Sequence, residues 1–127
     1  MQKNVVGWFE IPVENMDRAM KFYEAVFGHK LERHKMHQLD MAWFPMNPDG
    51  MGSMGSLVYH AEFYKPSSSG TLIYFTAFSG DLKIELTKVE SAGGKVLVPK
   101  TQISPEYGFL AIILDTEGNR IGIHSRK

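Results

Sequence analysis

The sequence predicts an α+β fold in which two βαβββ modules form an open, curved pair of mixed β-sheets around a shared cavity, with the helices outside. The order strand, helix and three strands occurs twice along the 127 residues. Each half has too little structure to bury its helix and both faces of its sheet alone, so the modules are expected to pack together. A shift of 66 positions (94 minus 28) aligns the halves. It pairs Gly28 with Gly94, Asp49 with Asp115 and Gly52 with Gly118.

The first module spans residues 4–62. Its apolar, β-branched opening predicts a strand over Val5–Val13. Asn15 is a suitable N-cap for the helix that follows, and Gly28 is a suitable C-terminal stop. The apolar stripe of this helix is Met16, Met20, Tyr23 and Phe27. The remaining predicted strands are Leu31–Met36, Leu39–Met46 and Leu57–Ala61, with a glycine-rich segment at Met51–Gly55.

A linker over residues 63–70, rich in Ser and containing Pro66, leads to the second module, residues 71–126. The helix of this module is predicted from about Asp81 to Ala92, where Gly93 and Gly94 end it. The predicted strands are Leu72–Phe78, Lys95–Val98, Phe109–Leu114 and Arg120–Ser125. The loop Pro99–Gly108 is longer than a hairpin requires. It is either a cover for the cavity, an ordinary surface loop or a dimer contact.

The composition argues against several classes of partner. The 14 Lys and Arg residues balance 14 Asp and Glu residues, so no basic surface is expected to attract nucleic acid. Cysteine is absent, which fits a reducing compartment. Residues 1–15 lack an apolar core behind a basic start, and no run of about 18 apolar residues occurs, so we expect no secretory signal and no membrane span. A cytoplasmic protein is predicted.

Four segments together resemble the vicinal oxygen chelate superfamily, which contains glyoxalase I, bleomycin resistance proteins and extradiol dioxygenases. The similarity extends from about Val5 to Ser125 and implies the paired βαβββ fold and a homodimer, which is common among such proteins. The segments are Phe9–Val13, Arg18–Gly28, Gly93–Lys95 and Glu117–Ile121.

The resemblance also implies where a metal ion would bind. Metal-dependent members take their ligands from the first and last strands of each module, positions that correspond to Trp8, Ser56, Tyr74 and Gly122. Metal-dependent members place His, Gln or Glu there, because divalent cations need imidazole or carboxylate donors. None of these four residues supplies such a donor. No cofactor is therefore predicted, and a divalent metal ion is disfavoured.

Strand alternation predicts an aromatic cavity with a few polar groups, a composition typical of small-molecule sites. Trp43 and Phe109, equivalent under the shift, are expected to add aromatic surface. The predicted ligand-binding residues are Trp8, Trp43, Ser56, Val58, Tyr74, Thr76, Phe109 and Gly122. The sequence thus predicts a metal-free protein that binds a small apolar or aromatic molecule.

Glu10, His60 and His124 share the cavity side of their strands and leave three interpretations open. Glu10 could act as a general base with a histidine as proton carrier, in a lyase or isomerase related to glyoxalase. The three could instead form a displaced metal site. In the third interpretation, the histidines are partly solvated strand-end residues and Glu10 pairs with a cation at the rim. The remaining histidines, His29, His34 and His37, are predicted at the surface.

Overall fold

The computed structural model describes residues 4–127 and contains the elements in the predicted order. The first module consists of β1 (Trp8–Pro12), α1 (Met16–Phe27), β2 (Glu32–Met36), β3 (Leu39–Trp43) and β4 (Met54–Tyr59). The second consists of β5 (Ile73–Thr76), α2 (Leu82–Val89), β6 (Lys95–Ser104), β7 (Gly108–Leu114) and β8 (Arg120–Ser125).

Each module builds one four-stranded mixed sheet, and the strand orders are β1-β4-β3-β2 and β5-β8-β7-β6. The first and last strands of each module are parallel, whereas the other pairs are antiparallel. The sheets do not close into a barrel. The predicted α+β class with two equivalent modules is confirmed.

Helix α1 begins and ends where the sequence predicts. The side chain of Asn15 accepts a hydrogen bond from the backbone N–H of Arg18, at 3.0 Å. Gly28 ends the helix with φ of 75°, in the left-handed region that glycine adopts without a side-chain clash. One stripe of the helix is buried: Met16, Ala19, Phe22, Tyr23, Val26 and Phe27.

Helix α2 is shorter than predicted. Asp81 caps it through the N–H of Lys83, and the regular helix ends at Val89. The glycine with positive φ after this helix is Gly93, at 101°, rather than Gly94. Position 94 requires glycine for a different reason, because a Cβ there would lie 2.6 Å from the ring of Phe22. This glycine therefore lets the second module approach α1 closely.

The two modules share one hydrophobic core. Helices α1 and α2 contact each other, and Tyr23 and Phe27 of α1 lie 5.6 and 4.8 Å from the ring of Phe75 on β5. Each sheet therefore has a helix side, which carries Ile11, Leu57, Phe75 and Ile123 and belongs to this core. The opposite side of each sheet, here called the outer side, carries Glu10, Ser56, Tyr74 and Gly122 by strand alternation.

The prediction of a long loop over Pro99–Gly108 is wrong. Strand β6 continues to Ser104, and Ser104 Oγ accepts a hydrogen bond from the N–H of Tyr107, at 2.9 Å, in the short turn that follows. Pro99 is tolerated because β6 is an edge strand and the pairing with β7 shifts register around it. The segment is part of a hairpin, so it does not form a separate cover over a cavity.

Within the described residues, neither helix is long and apolar enough to cross a membrane. The expectation about residues 1–15 includes residues 1–3, which lie outside the described part of the chain.

Candidate functional site

Strand register corrects one of the four positions implied for metal ligands. In the second module Tyr74 pairs with Gly122, but in the first module Ser56 pairs with Glu10 and not with Trp8. The reason is a short insertion after β5. The caps Asn15 and Asp81 correspond, yet Asn15 follows the last sheet-bonded residue, Val13, by two positions, whereas Asp81 follows Ala77 by four.

The corrected positions do not fit a divalent cation. Glu10 supplies the one carboxylate, and a Cβ at Gly122 would lie 2.5 Å from the ring of Tyr74, which fills the space that a longer side chain would need. Ser56 is fully buried, and its Oγ has no hydrogen-bond partner. Among residues 4–127, no group of three His, Cys, Asp or Glu side chains is arranged to hold a metal ion. The metal-dependent chemistry of the resemblance therefore has no matching donor set here.

Glu10 is engaged by its own neighbours. Its carboxylate accepts a hydrogen bond from the hydroxyl of Tyr64 at 2.7 Å and a longer one from Trp8 Nε1 at 3.4 Å. The hydrogen bond to Glu10, together with burial, raises the pKa of Tyr64 above its usual value. Glu10 thus tethers the segment after β4 to the outer side of the first sheet.

His60 and His124 are each held by local backbone groups. Nδ1 of His60 accepts hydrogen bonds from the N–H groups of Glu62 and Phe63, at 3.1 and 3.3 Å. Nε2 of His124 lies 2.6 Å from the carbonyl oxygen of Tyr107. A carbonyl only accepts, so this nitrogen carries the proton. The three candidates for acid–base work have separate partners and do not form one cluster.

The tryptophans lie together on the outer side of the first sheet. Trp8 and Trp43 meet edge to face with 5.9 Å between ring centroids, and Trp43 stacks on His34 at 3.7 Å. Ser56 and Val58 are fully buried on the same side. These four predicted ligand-binding residues share the outer side of the first sheet, and none of them lines the pocket between the modules or the pocket at the linker.

Phe109 lies on the opposite side from its expected position. It packs against the core on the helix side of the second sheet, with Lys100 Nζ 4.4 Å from its ring centroid. The register pairs Trp43 with Ser56 and Ile112 with Gly122, so Ile112 is the structural counterpart of Trp43. The shift of 66 positions therefore matches the wrong residues of β3 and β7.

A pocket of about 330 Å³ lies between the modules. We call it the inter-module pocket. Its walls come from both modules and include two of the predicted residues, Tyr74 and Thr76. The segment 45–54 from the connection between β3 and β4 borders it on one side. The principal wall residues are Phe9, His29, Phe44, Ile73, Tyr74, Phe75, Thr76 and Phe78.

His29 is one of the polar groups of this wall, and the prediction that it lies at the surface is wrong. It is only 9 % exposed, and neither ring nitrogen has a hydrogen-bond partner within residues 4–127. Burial lowers the pKa of His29 below its usual value, although the nearby carboxylate of Glu85 opposes this shift. The position carries a signal that sequence reasoning missed. The residue that follows a left-handed glycine at a helix end commonly packs back on the last turn. His29 follows Gly28, and its imidazole stacks on Phe27.

A second pocket of about 190 Å³ lies at the linker. It is lined by Glu10, Lys65 and Arg120 together with Pro12, Ile73 and Asn119 among others. This pocket is smaller and carries charges of both signs. The described residues that line the inter-module pocket include no charged side chain, so this pocket is the better candidate for an apolar ligand.

Comparison with protein families matches residues 5–123 to the Glyoxalase/Bleomycin resistance protein/Dioxygenase superfamily. Comparison with curated proteins gives no match. A glyoxylase/bleomycin resistance protein/dioxygenase domain from Frankia sp. EAN1pec has a similar structure, with a TM-score of 0.74, 14 % identity, and coverage of 99 % of this chain and 100 % of that one.

Two further solved structures show the range of proteins with this fold. TnmS3, an antibiotic binding protein from Streptomyces sp. CB03234, gives a TM-score of 0.68 at 21 % identity and covers 100 % of this chain and 99 % of its own. Glyoxalase I from Zea mays gives 0.69 at 16 % identity, with 94 % of this chain covered. The chain spans about half of the maize protein, 45 % of its length. At these identities the likeness establishes the fold alone.

Proposed function

Because the chain belongs to the glyoxalase/bleomycin resistance protein/dioxygenase superfamily, we propose that it binds a small apolar or aromatic molecule between its two modules, without a metal ion. The observation that carries this proposal is the inter-module pocket of about 330 Å³. Its volume lies within the range of small-molecule sites, which are typically lined by hydrophobic and aromatic side chains with a few polar groups.

The wall of the pocket has the composition that an apolar ligand needs. Four phenylalanines line it, and the buried rings of Phe44 and Phe75 meet edge to face with 5.2 Å between centroids. Such rings offer large apolar surface to a flat ligand in offset or edge-to-face contact. His29, Asn47, Ser53 and Thr76 are polar groups that could orient it.

The metal-free part of the proposal rests on the chemistry of the corrected positions. Carboxylate comes from Glu10 alone, and Ser56, Tyr74 and Gly122 are poor or impossible ligands for a divalent cation. One protein of similar fold is described as antibiotic binding, which supports a binding role by analogy of fold.

The proposal includes a homodimer in the cytoplasm, consistent with the absence of cysteine. The outer side of the second sheet exposes Tyr74 and Val98, at 46 % and 37 % of their surface, beside Ile112. Trp8 exposes 38 % on the outer side of the first sheet. A second copy of this chain, which presents the same aromatic and apolar surfaces, is the partner that we expect to cover them. Sedimentation equilibrium tests this, and a strict monomer at high concentration contradicts it.

The test of the binding function uses protein purified without chelator, metal analysis and thermal unfolding with toluene, indole and naphthalene. We expect less than stoichiometric zinc, nickel or iron, and a rise in Tm with at least one probe. Thr76→Trp should abolish the rise, because it places an indole at an exposed position that borders the pocket.

Thr101→Trp is the matched control, since Thr101 is exposed on β6 and does not line the pocket. It should respond to the probes as the parent protein does. Stoichiometric retained metal, or an equal response of both variants to every probe, refutes the proposal.

A further inference from the structure

Within residues 4–127, neither ring nitrogen of His29 has a hydrogen-bond partner. Buried polar groups are nearly always hydrogen-bonded, so an unpaired one needs a physical explanation. Four other side chains in the described part of the chain have a buried nitrogen or oxygen without a hydrogen-bond partner. They are His34, Trp43, Ser56 and Arg120, of which His34 Nε2 lies 3.0 Å from a carboxylate oxygen of Glu32 without hydrogen-bond geometry. Of the five, His29 alone lines the inter-module pocket, and both of its ring nitrogens are unpaired.

The rings around His29 differ in how tightly they are held. Phe27, Phe44 and Phe75 lie 5.6 to 6.1 Å from the imidazole and are buried in the core. Phe78 lies closer, at 4.9 Å, but is 71 % exposed. It stands in the connection between β5 and α2, the one that is two residues longer than its counterpart in the first module. Phe78 can therefore swing away from the imidazole without opening the core.

The chemistry of the site restricts the ligand further. Among the described residues, the lining includes no Lys, Arg, Asp or Glu, so a charged ligand would lose its hydration without gaining a counter-ion in the wall. A neutral imidazole offers one N–H donor and one acceptor nitrogen. An uncharged hydroxyl can serve either of them, whereas the aromatic walls suit a ring.

We propose that the ligand of the inter-module pocket is an uncharged aromatic alcohol, and that its hydroxyl hydrogen-bonds to His29 after the Phe78 ring moves aside. This inference rests on the proposed binding function and names its ligand class. His29 then selects for the hydroxyl group, while the buried rings of Phe44 and Phe75 contact the ring of the ligand.

The experiment compares phenol with toluene, which differ by a hydroxyl and a methyl group on the same ring. Dissociation constants are measured by NMR titration of the full chain. The parent protein should bind phenol about fivefold or more tightly than toluene, the factor expected for one hydrogen bond to a buried group. His29→Phe keeps an aromatic ring but removes both nitrogens, and it should reverse the preference in favour of toluene.

His34→Phe is the matched control. His34 stacks on Trp43 on the outer side of the first sheet and does not line the pocket, so this variant should keep the preference of the parent. Phe78→Ala should strengthen phenol binding, because it removes the ring that covers the imidazole.

A spectroscopic readout keeps the test decisive even if His29→Phe does not fold. The ring nitrogen resonances of His29 in the parent protein should shift on addition of phenol and stay nearly unchanged with toluene. Binding of toluene with no preference for phenol overturns the inference and leaves the binding function standing. Binding of neither probe overturns the inference and, together with a failed thermal-shift panel, the binding function.

Discussion

The connections between the last two strands of each module occupy matching places in the fold but make different contacts. The connection in the first module, residues 44–53, contains Gly52, and the one in the second, residues 115–119, contains Gly118. Both glycines have φ of 92° and occupy matching places under the shift. Asp49 and Asp115 also match, but Asp49 is exposed whereas Asp115 is 3 % exposed.

The second connection clamps the two modules together. Asp115 accepts hydrogen bonds from the N–H groups of Glu117 and Asn119, at 2.8 and 2.9 Å, and from the hydroxyl of Tyr23 on α1, at 2.6 Å. Glu117 accepts hydrogen bonds from the N–H groups of Glu14 and Asn15, both at 2.8 Å. These bonds join the second module to the start of α1, so we call residues 115–119 the clamp.

The first connection borders the inter-module pocket instead. Its internal hydrogen bonds are those of a short turn, from the N–H groups of Asp49 and Gly50 to Asn47. Met51 in this segment is fully exposed. The two connections therefore differ in role, since the second joins the modules by hydrogen bonds and the first borders the inter-module pocket.

Removing the carboxylate of Asp115 should cost far more than removing that of Asp49. Asp115→Ala leaves the buried Tyr23 hydroxyl and two backbone N–H groups unpaired, and should lower the free energy of unfolding by about 3 kcal/mol. Asp49→Ala should change it by less than about 0.5 kcal/mol. Urea unfolding of both variants measures the difference. Equal losses would show that the two connections are not divided in this way.

Glu117→Gln should cost about 2 kcal/mol, because Glu117 pairs with Arg18 at 2.7 and 2.9 Å and its side chain has no exposed surface. The variant should also change the acid stability. Burial alone would raise the pKa of Glu117, but the hydrogen bonds from Arg18 and the backbone outweigh it and hold the pKa below its usual 4.5.

The contribution of the Glu117 carboxylate to stability is therefore present above pH 4.5 and lost as the pH falls through its lower pKa in the folded state. Asp115 acts in the opposite direction, since burial raises its pKa. Unfolding free energies of parent and Glu117→Gln between pH 3 and pH 7 should converge at the acid end. Parallel curves would rule out this role for Glu117.

Gly52→Ala and Gly118→Ala should each cost about 1 kcal/mol, because both backbones lie in the left-handed region. A Cβ at either position meets nothing within 4 Å, so the cost is that of the backbone alone. Equal values from thermal unfolding would show that both glycines contribute through their backbone conformation alone. A much larger loss at Gly118 would indicate that the clamp depends on this turn.

The smallest expected effect is the pH-dependent part of the unfolding free energy that comes from His29, roughly 1 kcal/mol or less. Burial lowers its pKa below 6.5, and the buried carboxylate of Glu85 opposes the shift. Stability from the neutral imidazole is thus complete above pH 6.5 and decreases as the pH falls towards the lower folded pKa. The difference in unfolding free energy between parent and His29→Phe should vary between pH 5 and pH 8. A constant difference would mean that His29 is not buried as described.

Local signals predicted much of this architecture. Asn15 and Gly28 set the ends of α1 through their own hydrogen bonding and backbone conformation, which need no tertiary information. The mismatch with a metal site was also visible, because Gly122 and Tyr74 lack suitable donors whatever the register. Both points were predicted from residue type alone.

Other features depend on packing that a sequence shift cannot reveal. The shift of 66 positions aligns the two helices and ignores the two extra residues after β5. It therefore matches Trp8 with Tyr74, whereas the strand register matches Glu10 with Tyr74. His29 looks like a polar surface residue until the rings of Phe44 and Phe75 close around it. The inter-module pocket has the kind of wall that the sequence predicts, aromatic with few polar groups. Of the predicted ligand-binding residues, however, only Tyr74 and Thr76 line it.

Ligand binding between the modules is tested most directly by intermolecular NOEs between toluene and the protein, which locate the bound probe. We expect NOEs to Phe44, Phe75 and Phe78 of the inter-module pocket. NOEs confined to Trp8 and Trp43 on the outer side of the first sheet, or none at saturating toluene, would contradict it.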